Sequence, residues 1–234
     1  MIVALGEPVA ITVEELLERY PVLYHMASHG AWPMIQKHGL LSSERLVALF
    51  EVSEPRRSQL LGSQRRTSEP LHHPKHGDAV LRDQKPLSAK NLGRCLTDCD
   101  APTWYRILNE RVFFWLDPNR LLTLMSANEY AGKVHTILEI ETAGIVKAHA
   151  EKIELAHMNT GNTLPFPHPR GRTTFKRMQD YDYERRRRLA NYSAVVELTV
   201  LGGVEDLKKH VIKVEHALSN NGCLKVKERL FQAQ

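Results

Sequence analysis

Two residues draw attention because each is a polar group inside an apolar run. Glu197 lies within Ala194-Val195-Val196-Glu197-Leu198-Thr199-Val200-Leu201, and His25 follows Val22-Leu23-Tyr24. An unpaired buried carboxylate is costly, so it is either neutralised or paired. Each has a plainer reading. His25 would serve equally as a core or edge histidine, and on an alternating strand Glu197 would face solvent with Val195 and Thr199. Cys95-x-x-x-Cys99 is half of a zinc motif, but no second cysteine pair or finger-spaced histidine pair lies nearby. No metal site is expected, and the three cysteines are read as reduced thiols.

The elements that must carry these residues can be sketched from periodicity. Thr12, with Glu15 three residues on, reads as a capping box opening a helix over 14–19 that Pro21 ends. A buried strand follows over 22–26, a turn at 28–30, and a helix over 31–38 that Gly39 stops in a left-handed cap. A helix is expected over 43–50. Residues 53–79 are rich in Ser, Pro, Arg and His and read as a loop or mobile arm. A short strand over 79–84 and a helical turn over 88–92 come next. The strongest strand is Val112 to Leu116, and a helix is expected over 118–130. Lys133 to Glu141 reads as a strand with Val134, Thr136, Leu138 and Ile140 on one face. Residues 159–188 read as a second irregular stretch. The strand 194–201, a helix over 204–210, a last short strand over 211–214 and a polar tail complete the chain. Helices and strands do not alternate regularly, which predicts an α+β single domain with irregular insertions near 53–79 and 159–188.

Composition bounds the function. With 42% hydrophobic residues in 234, the chain can bury a core, so global disorder is excluded. No signal-peptide pattern or membrane-length apolar run is present, making the cytoplasm the default and a membrane partner unexpected. No Gly-x-Gly-x-x-Gly or P-loop pattern occurs. The net charge of +5 favours polyanionic partners. From Arg170 to Arg188, eight basic residues face three acids, so this one segment matches the excess of the whole chain. Arg172, Lys176, Arg177, Arg185 and Arg186, with Phe175, Tyr181 and Tyr183 among them, could hold phosphates and stack bases, or form a solvated charged face. Arg56, Arg57, Arg65, Arg66, His72 and His73 offer a second nucleic-acid contact, or plain disorder.

Together the motifs have a resemblance. Val22-Leu23-Tyr24-His25-Met26-Ala27-Ser28, then Ile35 and Gly39-Leu40-Leu41-Ser42, resembles the opening of ADP-ribosyltransferase-fold proteins. DarT-like DNA ADP-ribosyltransferases and NAD⁺-dependent RNA 2′-phosphotransferases both open this way. Ala194 to Val200 resembles the DarT-type strand that carries the catalytic glutamate. The middle, around 79–86 and 108–115, is similar to an uncharacterised bacterial branch related to that fold. The usual Thr or Ser after the motif histidine is Met26 here, with Ser28 two residues on.

The resemblance implies an ADP-ribosyltransferase-like core, a split mixed or antiparallel sheet with flanking helices. It implies NAD⁺ as co-substrate and transfer of ADP-ribose to a macromolecule, nucleic acid (DNA or RNA) before protein. Glu197 would stabilise the oxocarbenium-like state and orient or deprotonate the acceptor. His25 would hydrogen-bond the adenosine-side ribose, and Tyr24 or Trp115 would stack on a ring of the dinucleotide. Ser28 and Ser42 are the hydroxyl residues of the same site. The pyrophosphate needs a cation, with Arg45 first and Arg82 and Arg111 as alternatives. A toxin role with an antagonist or antitoxin protein is implied by resemblance only. The alternatives are NAD⁺-dependent RNA 2′-phosphate removal and a non-catalytic nucleic-acid-binding module, which Met26 favours.

Overall fold

A computed structural model describes residues 9–189 and 193–233. Thr12 caps helix α1 (Val13–Arg19), accepting the Glu15 N–H at 3.1 Å. The reciprocal half of the capping box is absent, because the Glu15 carboxylate accepts from Arg19 instead, at 3.0 Å. Strand β1 (Val22–Ser28) is covered on both faces: Leu23 and Ala27 pack into one apolar layer, Tyr24 and Met26 into another. Helix α2 (Trp32–His38) ends at Gly39, at φ 78° and ψ −179°. That is a positive-φ extended conformation open essentially only to glycine, rather than the left-handed cap expected. The chain then enters β2 (Leu40–Leu41) and α3 (Ser43–Leu49), which Ser42 caps by accepting the Arg45 N–H.

The stretch expected to be a mobile arm is folded. It holds α4 (Arg56–Gly62) and a hairpin of β3 (Glu69–His73) and β4 (Gly77–Leu81). Leu60, Leu61, Leu71 and Leu81 pack with Val47 and Phe50 in a core of their own. Few apolar residues suffice here because α2 and α3 supply the other wall through Met34, Leu46, Val47 and Leu49. Arg65, offered as a nucleic-acid contact, is buried and spends its donors on the Leu60 and Arg82 carbonyls.

After α5 (Ala89–Cys95) and α6 (Ala101–Asn109) come β5 (Arg111–Trp115), α7 (Pro118–Ser126), β6 (His135–Glu141), α8 (Thr142–His149) and β7 (Ile153–Ala156). A two-residue β8 (Lys176–Arg177), α9 (Tyr183–Leu189), β9 (Glu197–Leu201) and β10 (Gly203–Val204) follow. The helix expected over 204–210 is only a 3₁₀ turn at Leu207–Lys209. The polar tail is in fact structured: β11 (Val211–Asn220) and β12 (Cys223–Gln232) form a long hairpin. Its turn puts Asn221 and Gly222 at φ 49° and 74°, as a two-residue hairpin loop requires.

Eight strands form one sheet in the order β12-β11-β6-β1-β5-β9-β7-β8. Every ladder in it is antiparallel, so the mixed alternative does not hold. The α+β class stands. Among the described residues no helix is long and apolar enough to cross a membrane.

Candidate active site: a cleft where the sheet parts

The sheet is tight on either side of its centre and loose at it. β1 pairs with β6 through seven positions and β5 with β9 through five, but β1 meets β5 only at Tyr24 opposite Trp115. The backbone groups freed there have another partner: the His25 ring spans the gap and donates its Nδ1–H to the Phe113 carbonyl at 2.8 Å. A cavity of about 460 Å³ opens at this parting, within the usual size range of small-molecule sites. His25 and Ser28 line it from β1, Arg111 and Trp115 from β5, Arg82 from beyond β4, and Glu197 from β9.

Local sequence explains the wall. At Gly39 an added Cβ would overlap the Val204 carbonyl and Glu205 backbone, and at Gly203 it would overlap the Leu40 carbonyl. Two glycines therefore let 39–41 and 203–205 cross in contact, and β2 pairs with β10 there.

His25 is neutral in this setting. Burial pushes its pKa down to about 4, with the Arg82 charge adding to the effect. With the proton held at Nδ1 by Phe113, Nε2 is left as an acceptor, suited to a ligand hydroxyl. Glu197 is 3% exposed, which settles the sequence alternative in favour of burial over a solvent-facing position. Burial pushes its pKa up to about 7, held back by hydrogen bonds from Thr160. The Thr160 hydroxyl donates to Oε2 at 2.7 Å and its N–H reaches both oxygens at 3.2 and 3.3 Å. The loop bearing Thr160 is pinned by Arg170, which is buried and donates to the Thr160 carbonyl at 2.8 Å. Neither Thr160 nor Arg170 stood out in sequence as a partner of Glu197. The only signal was an irregular Gly/Pro stretch ahead of the strand.

The arginines separate cleanly. Arg45 does not line the cavity; it is half-exposed and paired with Glu205. Arg82 lines the cavity, donates to the Met26 carbonyl at 2.7 Å and lies over the Tyr130 ring at 5.1 Å. Tyr130 in turn donates to Asp83 at 2.7 Å. Arg111 is buried, with its Nη2 paired to Glu154 at 3.1 Å and its guanidinium 3.9 Å from the Phe175 ring centroid. Its Nε and Nη1 are buried without a hydrogen-bond acceptor among the described residues. Such orphaned donors cost about 1–3 kcal/mol each and are the kind of expense a ligand site carries.

Ser42 and Tyr24 are not among the lining residues: Ser42 is a buried helix cap, and Tyr24 packs beside Met26 and Trp115. In the basic segment, Arg172, Lys176 and Arg185 are exposed, Arg186 is half-buried, and Arg177 lies 4.0 Å from Glu151. The aromatic residues among them are not available for stacking on bases. Phe175, Tyr181 and Tyr183 are all buried, with Tyr181 bonded to the Ala194 carbonyl and Phe175 stacked on Trp104.

Residues 21–211 match the model of a family described as "Family of unknown function (DUF7002)". No curated protein matches the chain.

Proposed function

The chain belongs to the DUF7002 family, and we propose that it binds NAD⁺ in the cleft and transfers ADP-ribose to a macromolecule. The observation that carries this reading is the meeting of His25, Arg82, Arg111, Trp115 and Glu197 around one cavity at the parting of β1 and β5. It joins the two motifs, 172 residues apart in sequence, that resemble an ADP-ribosyltransferase.

The chemistry fits the site. In the transfer the bond from ribose C1′ to the nicotinamide nitrogen breaks, and its electron pair leaves with neutral nicotinamide. A lone pair of the acceptor forms the new bond to C1′, and the acceptor's proton goes to the Glu197 carboxylate. A carboxylate beside developing positive charge lowers the barrier. A cationic nicotinamide ring would also draw Glu197 back toward its ionised form, since opposite charge favours it. His25 offers Nε2 to a ribose hydroxyl, Trp115 offers a ring face, and Arg111 offers donors to the pyrophosphate. Arg45 is withdrawn from that role.

Nucleic acid is the preferred acceptor class, supported by the exposed Arg172, Lys176 and Arg185. With the neighbouring aromatics buried, contact to phosphate rather than base stacking is the mode of binding. Labelled NAD⁺, incubated with single-stranded DNA, duplex DNA, RNA or total protein, tests both reaction and acceptor. Label on one polymer, lost in Glu197→Gln, is the expected result. No label anywhere, with no rise in melting temperature at millimolar NAD⁺, would overturn the reading in favour of a non-catalytic module.

A further inference from the structure

Away from the cleft, three metal-binding side chains converge from two segments. His149 ends α8, while Asp206 and His210 flank the 3₁₀ turn after β10. His149 Nε2 lies 2.7 Å from one Asp206 oxygen and His210 Nε2 lies 3.2 Å from the other. One ligand atom from each residue falls within 4.8 Å of the other two. The rings stand at 85° to each other, and each Nε2 meets its own oxygen of Asp206. The His149, Asp206 and His210 side chains are 12%, 30% and 12% exposed, shielded yet reachable. Among the described residues no other trio of His, Cys, Asp or Glu gathers its donor atoms this closely, Cys95 and Cys99 included.

A second observation concerns the seat of one ring. Gly144 stands in the first turn of α8. A Cβ at that position would collide with Nδ1 of His210. The missing side chain therefore leaves room for the His210 imidazole against α8 and limits its direction. Metal ligands need their ring orientation set in this way.

We propose that His149, Asp206 and His210 bind a zinc-class divalent ion. Two imidazole Nε2 atoms and one carboxylate oxygen form the ligand set, a nitrogen and oxygen set that suits zinc, and solvent completes the coordination. On binding, each histidine holds its proton at Nδ1, freeing Nε2 for the metal. The ion braces the end of α8 against the loop that follows β10, and β10 pairs with the Leu40–Leu41 wall of the cleft. Its role is structural, and it is independent of any reaction in the cleft.

The test uses the full chain stripped with a chelator and titrated with Zn²⁺ alone. One ion bound per chain, a melting temperature raised by several degrees, and visible bands of a four-coordinate site with Co²⁺ are expected. The double variant His149→Gln/His210→Gln should lose all three. Should that variant fail to fold by circular dichroism, Asp206→Asn serves instead. It keeps an oxygen acceptor for the histidines but removes the charge, and Zn²⁺ should bind at least tenfold more weakly. Gly144→Ala should also weaken binding by displacing the His210 ring. No binding at a tenfold excess of Zn²⁺, or wild-type affinity in these variants, overturns the proposal.

Discussion

The cleft and the α8 cluster are built from the same side-chain types, histidine and carboxylate, and burial drives them apart. Glu197 is 3% exposed, and there desolvation outweighs the Thr160 hydrogen bonds, leaving the acid poised at about 7. Asp206 also feels desolvation, but hydrogen bonds from His149 and His210 outweigh it and hold its pKa below the ordinary value. His25 has been driven to about 4 by burial, whereas His149 and His210 each face a carboxylate. Where solvation loss dominates, the charged form is disfavoured, so His25 is neutral and Glu197 stands near balance at pH 7. Where pairing dominates, the charges are already satisfied and the cluster serves the fold. On the proposed reading, this difference separates a reactive carboxylate from a structural one.

The largest effect expected from breaking the comparison is on turnover. Glu197→Gln keeps the shape and lets the amide oxygen accept from the Thr160 N–H, but it removes the carboxylate charge on which the proposed transfer relies. Transfer from labelled NAD⁺ should fall by at least about 100-fold, the loss typical when a preorganised stabiliser of developing charge is removed. A variant with wild-type turnover would make Glu197 a structural residue like Asp206.

The same substitution should raise stability, which a structural carboxylate would not do. The folded pKa of Glu197 is raised from 4.5 to about 7, so the folded state binds more protons than the unfolded state between those values. The stability this gives is present below about pH 4.5, falls as pH rises through 7, and is gone above it. The span amounts to about 3 kcal/mol. Glu197→Gln should therefore melt with the wild type near pH 4.5 and well above it at pH 8. Parallel pH profiles of melting temperature would show that Glu197 is not poised. For turnover the sign reverses: as the ionised form is the competent one, kcat/KM should rise with pH and level off above 7.

Arg111 gives the next effect. Substituting Met retains apolar bulk against Phe175 but removes the donors that lack acceptors. A charge-assisted hydrogen bond is worth about 1.5–3 kcal/mol, so KM for NAD⁺ should rise about 10- to 100-fold with a smaller change in kcat. Arg45→Met should leave KM unchanged, since Arg45 lies on Glu205 outside the cleft. The reverse result would restore the sequence choice.

What the sequence disclosed and what it hid have separate physical causes. β1, β5 and β9 were legible because each is a short run of apolar and β-branched residues, and α2 because Gly39 marks its end. His25 and Glu197 were legible as polar residues out of place. Their partners were not. Thr160 bonds Glu197 from 37 positions away, and nothing local marks a threonine in a Gly/Pro-rich loop for that task. Arg45 and Arg111 were ranked by their distance from a motif, yet Arg111 sits opposite Leu201 on the strand beside Glu197. The cavity lining, a long-range fact, decides between them. Residues 53–79 read as disordered because half of their core belongs to other helices. The β11–β12 hairpin is hidden for a different reason: Asn221-Gly222 is a strong hairpin signal, but it leads into a polar, largely exposed β12.

The smallest effect sharpens the comparison at its other pole. Because the folded pKa of Asp206 is lowered, its contribution to stability is present above its ordinary value of 3.8 and is lost as pH falls through the folded value. The sign is opposite to that of Glu197. Its side chain is 30% exposed, so the pairing is worth on the order of 1 kcal/mol or less. Asp206→Asn, studied without metal, should leave the melting temperature nearly unchanged at pH 3 and lower it slightly at pH 6. Glu197→Gln shows its own difference only above about pH 4.5. If the Asp206→Asn deficit instead grew toward acid pH, burial rather than pairing would govern Asp206, and the contrast between the two centres would fail.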